Sequence, residues 1–308
     1  MFIYSDSNKR YYTYNYFLKQ KFGGKVAKLS LDAGFSCPNI DGTKGHGGCT
    51  YCSGRGSGDF AGDPKESLQQ QMEQQKAIMG KKWPNCKYIA YFQAHTNTHA
   101  PLEKLKECFE SVLAEDVVGI SIATRADCID KEKADYLAEL SQRTFVEVEL
   151  GLQSVFDVTG ERINRCHSFE EFLHGFRLLK ERNIPVCVHL INGLPGETRE
   201  MMLESARRVG ELQPHSVKLH LLHVIEGTVL AEQWRNGEFP LLEREDYVSI
   251  LCDQLELLPE NIVIQRITGD GDKSNLLGPM WSMDKKKVKN AIDMEMARRN
   301  SYQGKGLK

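Results

Sequence analysis

The chain has 308 residues, 41% of them apolar and 27% charged, a balance that builds a real core and excludes a largely disordered protein. The net charge of −2 hides an uneven spread: residues 1–28 hold six Lys/Arg and one acid, residues 285–308 hold eight and two, and the stretch between carries −13. No apolar run approaches the roughly 18 residues of a membrane span. The N-terminus lacks an apolar signal core. A cytoplasmic protein is therefore expected, and its nine cysteines point to metal binding or catalysis rather than disulfides.

Basic ends on an acidic body suggest phosphate contacts. Tyr11, Tyr12, Tyr14, Tyr16 and Phe17 stand among lysines and arginines, a composition suited to stacking on bases. A pair of solvated tails is the plainer alternative.

In chain order, β-like runs alternate with helical stretches. Strands are predicted over 26–33, 87–93, 117–124, 145–152, 185–191, 217–224 and 262–267, and helices over 64–79, 101–114, 131–141, 168–182, 199–212 and 243–258. Asp63, Pro64 and Glu66 read as the start of the first of these helices and Gly80 as its stop, and Ser168 with Glu171 reads as a capping box. The alternation argues a parallel sheet joined by right-handed crossovers. Val146, Val148, Leu150 and Leu152 share one strand face, and Glu147, Glu149 and Gln153 the other; Ser121, Arg125 and His189 are likewise polar opposite apolar neighbours. A sheet covered on both sides would show continuous apolar strands, so the pattern fits an α/β barrel whose lumen is a working cavity. An antiparallel sheet with one wet face is the alternative that the helices disfavour. The expected division is a basic, aromatic segment (1–24), a barrel (25–268) and a basic extension (269–308).

Cys37, Cys49 and Cys52 form a C-x11-C-x2-C pattern in a glycine-rich loop directly after the first strand. Three cysteines spaced this way suit either zinc, with His46 as a fourth ligand, or an iron–sulfur cluster. Cys86, Cys108, Cys128, Cys166, Cys187 and Cys252 form no second C-x2-C and read as small hydrophobes.

Further runs carry a resemblance. They are Val148-Glu149-Leu150-Gly151-Leu152-Gln153-Ser154-Val155, Arg162 to His167, Thr96-Asn97-Thr98, and His189 to Glu197. With the cysteine loop they resemble the radical SAM superfamily, and among its members the radical SAM domain of the Elongator catalytic subunit and the bacterial YhcC/YtqA-like (MnmL-like) proteins. The resemblance implies an α/β fold, a partial (β/α)6 TIM-like barrel, with a [4Fe-4S] cluster held by Cys37, Cys49 and Cys52. It implies S-adenosylmethionine (SAM) bound by Tyr51, Thr96, Asn97, Glu149, Gln153, Arg165 and Gly193, with Glu149 and Gln153 at the mouth, Gln153 on the ribose and Arg165 near the carboxylate. Reductive cleavage of SAM would yield a 5′-deoxyadenosyl radical, fed by an electron donor such as flavodoxin or ferredoxin. By the same resemblance the substrate is the C5 side chain of the wobble uridine of tRNA, carried from carboxymethylaminomethyl towards aminomethyl, and His189, Lys218, His220 and Arg266 face it. Only about 40 residues follow the last predicted strand, so no acetyltransferase domain is expected. The chain departs from the superfamily pattern at Thr96-Asn97-Thr98, where a Gly-Gly-Glu-like turn is usual, at Ala123, and at His189, where some relatives have an acid. A small-molecule or peptide substrate, a zinc hydrolase and an RNA-binding module are the rival readings.

Overall fold

The computed structural model describes residue 2 and residues 6–56, 58–269, 271 and 274–307. Strands β1 (Val26–Leu31), β2 (Lys87–Phe92), β3 (Val117–Thr124), β4 (Phe145–Gln153), β5 (Val186–Asn192) and β6 (Ser216–Leu221) lie side by side in chain order. After β6 the chain makes a short strand, β7 (Val224–Ile225), then returns as β8 (Val263–Arg266) to pair with β6. All six pairings of this seven-stranded sheet are parallel, and the sheet curls into a partial barrel. Strand β9 (Leu276–Gly278) runs antiparallel to β7 in a separate ribbon. The strand expected over 217–224 is therefore two pieces: β6 stops at Leu221, and Val224 turns away to meet Gly278.

Helices α1 (Tyr14–Phe22), α2 (Leu68–Lys82), α3 (Leu102–Ser111), α4 (Lys131–Ser141), α5 (Asp157–Arg162), α6 (Phe169–Lys180), α7 (Arg199–Leu212), α8 (Val229–Arg235), α9 (Arg244–Leu257) and α10 (Lys285–Arg298) complete the order. The Ser168–Glu171 capping box opens α6 as expected. The start of α2 is not at Asp63: Ser67 and Gln70 form the reciprocal cap, and Asp63 to Glu66 is only a turn. Gly80 does not stop that helix either, which runs on to Lys82. Two satisfied backbone donors outweigh one interior glycine, whose cost is ~1 kcal/mol.

The outward face of each strand builds the core. Val146, Val148, Leu150 and Leu152 of β4 are buried together with Phe172, Phe176 and Leu179 of α6; each such side chain contributes about 1.5–3 kcal/mol. Helix α6 crosses the 3-10 turn Ala126–Cys128 so closely that a Cβ on Gly175 would lie 2.1 Å from the Ala126 carbonyl oxygen.

Within the described residues the basic ends are folded, not solvated tails. Thr13 bridges to Ile264, the Ile264 amide donates to the Tyr12 carbonyl at 2.7 Å, and α1 packs against both edge strands, β1 and β8. The N-terminal segment thereby covers the seam that the open sheet leaves. Tyr11 is buried, Tyr14 lies within the wall of the lumen, and Phe17 packs on Phe145 and His215. These three rings are structural and not a stacking surface. The C-terminal segment locks the arrangement: the Gln303 amide donates to the Arg10 carbonyl, the Tyr12 amide donates to the Gln303 side chain, and Lys9 pairs with Asp293. Among the described residues no helix is long and apolar enough to cross a membrane.

Candidate active site

The lumen holds a cavity of about 1000 Å³ whose lining runs from the C-terminal ends of the strands, at Gln153 and His220, to α1 and the start of β1, at Tyr14 and Val26. Cys37, Cys49 and Cys52 lie in its wall, together with Tyr51, Thr96, Glu149, Gln153, Arg165, His189, Lys218, His220 and Arg266. The structure thus gathers all but two of the residues singled out from the sequence.

The cysteine loop is pinned to the segment after α5. The Thr50 amide donates to the Ile163 carbonyl at 3.0 Å, and the Asn164 side chain donates to the Gly48 carbonyl at 2.7 Å. Asn39 Nδ2 lies 3.6 Å from the Cys49 sulfur. A hydrogen bond with Cys52, the charge of Arg125, and bonds from Tyr51 and Asn39 outweigh burial and bring the Cys49 thiol down to about 6. Arg125 in turn is anchored by Asp127 and by the Arg165 and Cys166 carbonyls. Beside the loop, Gly56 adopts φ +55°, and a Cβ there would lie 2.3 Å from His95 Nδ1. That close approach requires glycine.

Below the loop, Glu147 and Glu149 are fully buried in the lumen floor. Glu149 accepts from Lys28 Nζ at 2.5 Å, Ser121 Oγ at 2.9 Å, Tyr91 Oη at 2.9 Å and His189 Nε2 at 2.9 Å, and also from Lys218. Glu147 accepts from Gln265 at 2.6 Å and Tyr14 at 3.2 Å, with Lys28 at 3.4 Å. Burial alone would raise both carboxyls. Lys28 and His215 bring Glu147 to about 2, and Lys218, Lys28 and His189 hold Glu149 well below the carboxylate range. Two acids and two lysines make this layer neutral. Burial, then the charge of Lys218, brings His189 down to about 4, so its imidazole is neutral at pH 7. Its Nε2–H then donates to Glu149 and leaves Nδ1 as an acceptor.

The sequence reading put Glu149 at the mouth; it lies deeper, with both oxygens engaged by protein donors. Arg165 lines the cavity, but its guanidinium is bonded to the Leu152, Ser154 and His167 carbonyls and to Asp157. Gln153 closes β4 in the left-handed region, φ +63°, strained for a residue with a side chain. Asn97 and Gly193 lie outside the cavity wall: Asn97 donates to the Phe92, Ala94 and Ala123 carbonyls, and the Gly193 amide donates to the Met202 sulfur. Lys28, Tyr91 and Arg125 belong to the site and were not singled out for it. A lone lysine in the strand run VAKLSLDA was the available signal.

A family model described as the Radical SAM superfamily matches residues 41–209, more than half of the chain, and one described as the Radical SAM C-terminal domain matches 214–298. The YtqA protein of Bacillus subtilis is 53% identical over 305 residues, covering 99% of this chain and 95% of that protein. A tRNA uridine(34) acetyltransferase of Methanocaldococcus infernus is 30% identical over 156 residues, 50% of this chain and 29% of that enzyme. Among solved structures, Elp3 of Methanocaldococcus infernus superposes with a TM-score of 0.65 at 18% identity, covering 91% of this chain and 64% of that one. The curled parallel sheet, the thiol loop at its mouth and these matches have one common reading: the chain belongs to the Radical SAM superfamily.

Proposed function

We propose that this radical SAM enzyme acts on the C5 side chain of the wobble uridine in tRNA, carrying carboxymethylaminomethyl towards aminomethyl. The family implies SAM and a [4Fe-4S] cluster, and the donor set fits: three soft thiols at the mouth of a cavity, one of them already acidified. Cys37, Cys49 and Cys52 would hold the cluster, which when loaded supplies the electron that splits SAM into methionine and a 5′-deoxyadenosyl radical, replenished by a donor such as flavodoxin or ferredoxin.

The chain's own residues do the rest. Arg125 steadies the thiolates by its charge, and the Tyr51 hydroxyl donates to Cys49. Gln153, Thr96 and Tyr51 line the space where SAM would lie. The ion-paired floor, with the Tyr14 hydroxyl of α1 donating to Glu147, holds the polar groups behind the reacting centre in place.

One observation carries the choice of substrate. Among the described residues the cavity wall holds eight Lys/Arg against two acids, Asp59 and Glu149; with Glu147, Asp127 and Asp157, which pair Lys28, Arg125 and Arg165, the balance is eight against five, still an excess of positive charge. Such a wall favours an anionic ligand, and ~1000 Å³ is at the upper end for a single small ligand. A wobble base extruded from its loop, with its phosphates, has that charge and size. The relative named as a tRNA uridine(34) acetyltransferase supports the same position.

The test is nucleoside mass spectrometry of tRNA from a strain lacking this protein. Carboxymethylaminomethyluridine should accumulate at the wobble position at the expense of the aminomethyl form. An unchanged wobble profile would overturn the reading.

A further inference from the structure

Two histidines face the cavity from neighbouring strands, His189 on β5 and His220 on β6. Lys218 is the register partner of His189, and His220 lies two residues further along β6, on the same face. The two imidazoles are therefore diagonal neighbours, with ring centroids 5.2 Å apart. Ile191, the register partner of His220, also lines the cavity and supplies apolar surface beside them.

The protein claims one nitrogen of this pair and leaves the others. His189 Nε2 donates to Glu149 at 2.9 Å. That carboxylate is fully buried and also takes Lys218, Lys28, Ser121 and Tyr91, so it stays ionised and only accepts. It thereby fixes the His189 tautomer: the proton sits on Nε2, and Nδ1 is an acceptor. The side chain lines the cavity and keeps 18% of its surface exposed. His220 is half-buried, and among the described residues neither of its nitrogens has a hydrogen-bond partner. Burial, first, and then the charge of Lys218 brings His189 to about 4, and burial holds His220 well below its usual value, so both rings are neutral at pH 7. Lys218 beside them opposes a bound cation as it opposes protonation. The pair is an uncharged hydrogen-bonding edge: one nitrogen locked as an acceptor, next to a ring whose tautomer is free to adjust.

We propose that His189 and His220 read the Watson–Crick edge of a uracil base, His189 Nδ1 accepting from its N3–H and His220 donating to a flanking carbonyl oxygen. This rests on the reading of a wobble uridine and deepens it, by naming what selects uracil. An extruded base is identified by hydrogen bonds to that edge. Cytosine presents an N3 lone pair where uracil has N3–H, and so sets one acceptor against another. His189 cannot answer by moving its proton, because Glu149 holds it. His220 can change tautomer to suit either base. Discrimination therefore belongs to His189, and His220 contributes affinity without it. A site built around one hydrogen bond rejects a ligand that lacks the partner, since a buried group is then left unpaired.

The test uses the full-length enzyme, reconstituted anaerobically with its cluster, and three anticodon stem-loop RNAs. Their wobble residue is 5-carboxymethylaminomethyluridine, its N3-methyl derivative, or the corresponding cytidine. The wild type should bind the uridine on the order of 30-fold more tightly than either of the others, the discrimination of one base-edge pair. In His189→Phe that ratio should fall to near one, and His189→Asn, whose amide oxygen can accept in place of Nδ1, should keep part of it. His220→Phe should weaken uridine and cytidine alike and leave the ratio in place. Thermal melts confirm that the variants are folded. Equal wild-type affinity for the three RNAs overturns the proposal. So does an intact ratio in His189→Phe; a rise in KM for SAM in that variant would then assign the imidazole to SAM. Failure to bind any of the RNAs would instead sink the tRNA reading. The pair is then read by saturation-transfer NMR with uridine and cytidine monophosphates: a preference for the uridine nucleotide, lost in His189→Phe, sustains it, and no preference overturns it.

Discussion

The floor and the rim of the lumen use the same residue types for opposite ends. In the floor, Glu147, Glu149, Lys28 and Lys218 neutralise one another, and Glu149 alone accepts from five side chains. At the rim, the thiols, Gln153 and His223 face the cavity, with strained backbone at Gln153 and, among the described residues, no hydrogen-bond partner for the His223 Nε2. A buried polar layer with every group satisfied holds a shape; a polar layer left incomplete takes a ligand. The floor should therefore govern stability and the rim activity, and substitutions can break that division.

The largest effect belongs to the rim. Replacing Cys37, Cys49 or Cys52 by alanine should lower 5′-deoxyadenosine formation, assayed anaerobically with reductant, by more than ~1000-fold, because the reaction loses its electron source. The melting temperature of the cluster-free protein should hardly move. A cysteine variant that unfolds would erase the distinction. In the floor, Glu149→Gln leaves Lys28 and Lys218 without their shared carboxylate and should cost about 3–5 kcal/mol in urea unfolding. Glu149→Leu combined with Lys218→Met should regain much of it, since the second change removes the stranded charge.

Acid should weaken the protein through its histidines. His167, His189 and His223 have values near 4 when folded, against 6.5 for an ordinary histidine. The unfolded chain therefore binds more protons between pH ~6.5 and ~4, and stability falls as pH drops through that window. Each group contributes up to roughly 3 kcal/mol at the low end, at 1.36 kcal/mol per unit. In melts across this range, His189→Asn should flatten the slope by one share. Behind the wall, Gly175→Ala forces a methyl onto the Ala126 carbonyl and should cost about 1–3 kcal/mol, measured the same way. The smallest change is expected for Lys9→Ala, whose pair with Asp293 is about one-third exposed and contributes under ~1 kcal/mol.

The sequence made the barrel legible because a strand with one polar face announces itself by strict alternation. Ser121, Glu147 and His189 mark the lumen on three strands. The thiol loop was equally legible, since its spacing is local. What escaped was set by distance along the chain. The aromatic segment ahead of Gly23 reads as a base-stacking tail, because Phe145, His215 and Ile264, which cover it, lie more than a hundred residues away. Lys28 was visible as an oddity in an apolar strand, but its reason, Glu147 and Glu149, appears only when β1 and β4 face each other across the lumen. Asn97 shows the converse. Its place after β2 suggests a ligand contact, yet three backbone carbonyls claim its amide.

The bridge from Thr13 to Ile264, with Gln303 fastened across it, has a consequence for synthesis. The segment around Thr13 has no berth until Ile264 and Gln303, made much later, have emerged. Throughout translation the nascent barrel is uncorked at its base, with Glu147 and Lys28 wetted and its aromatic stopper dangling. Domains ordinarily settle in the order they are made; here the stretch around Thr13 waits for β8, so the base of the pocket closes only after residues made far later are in place.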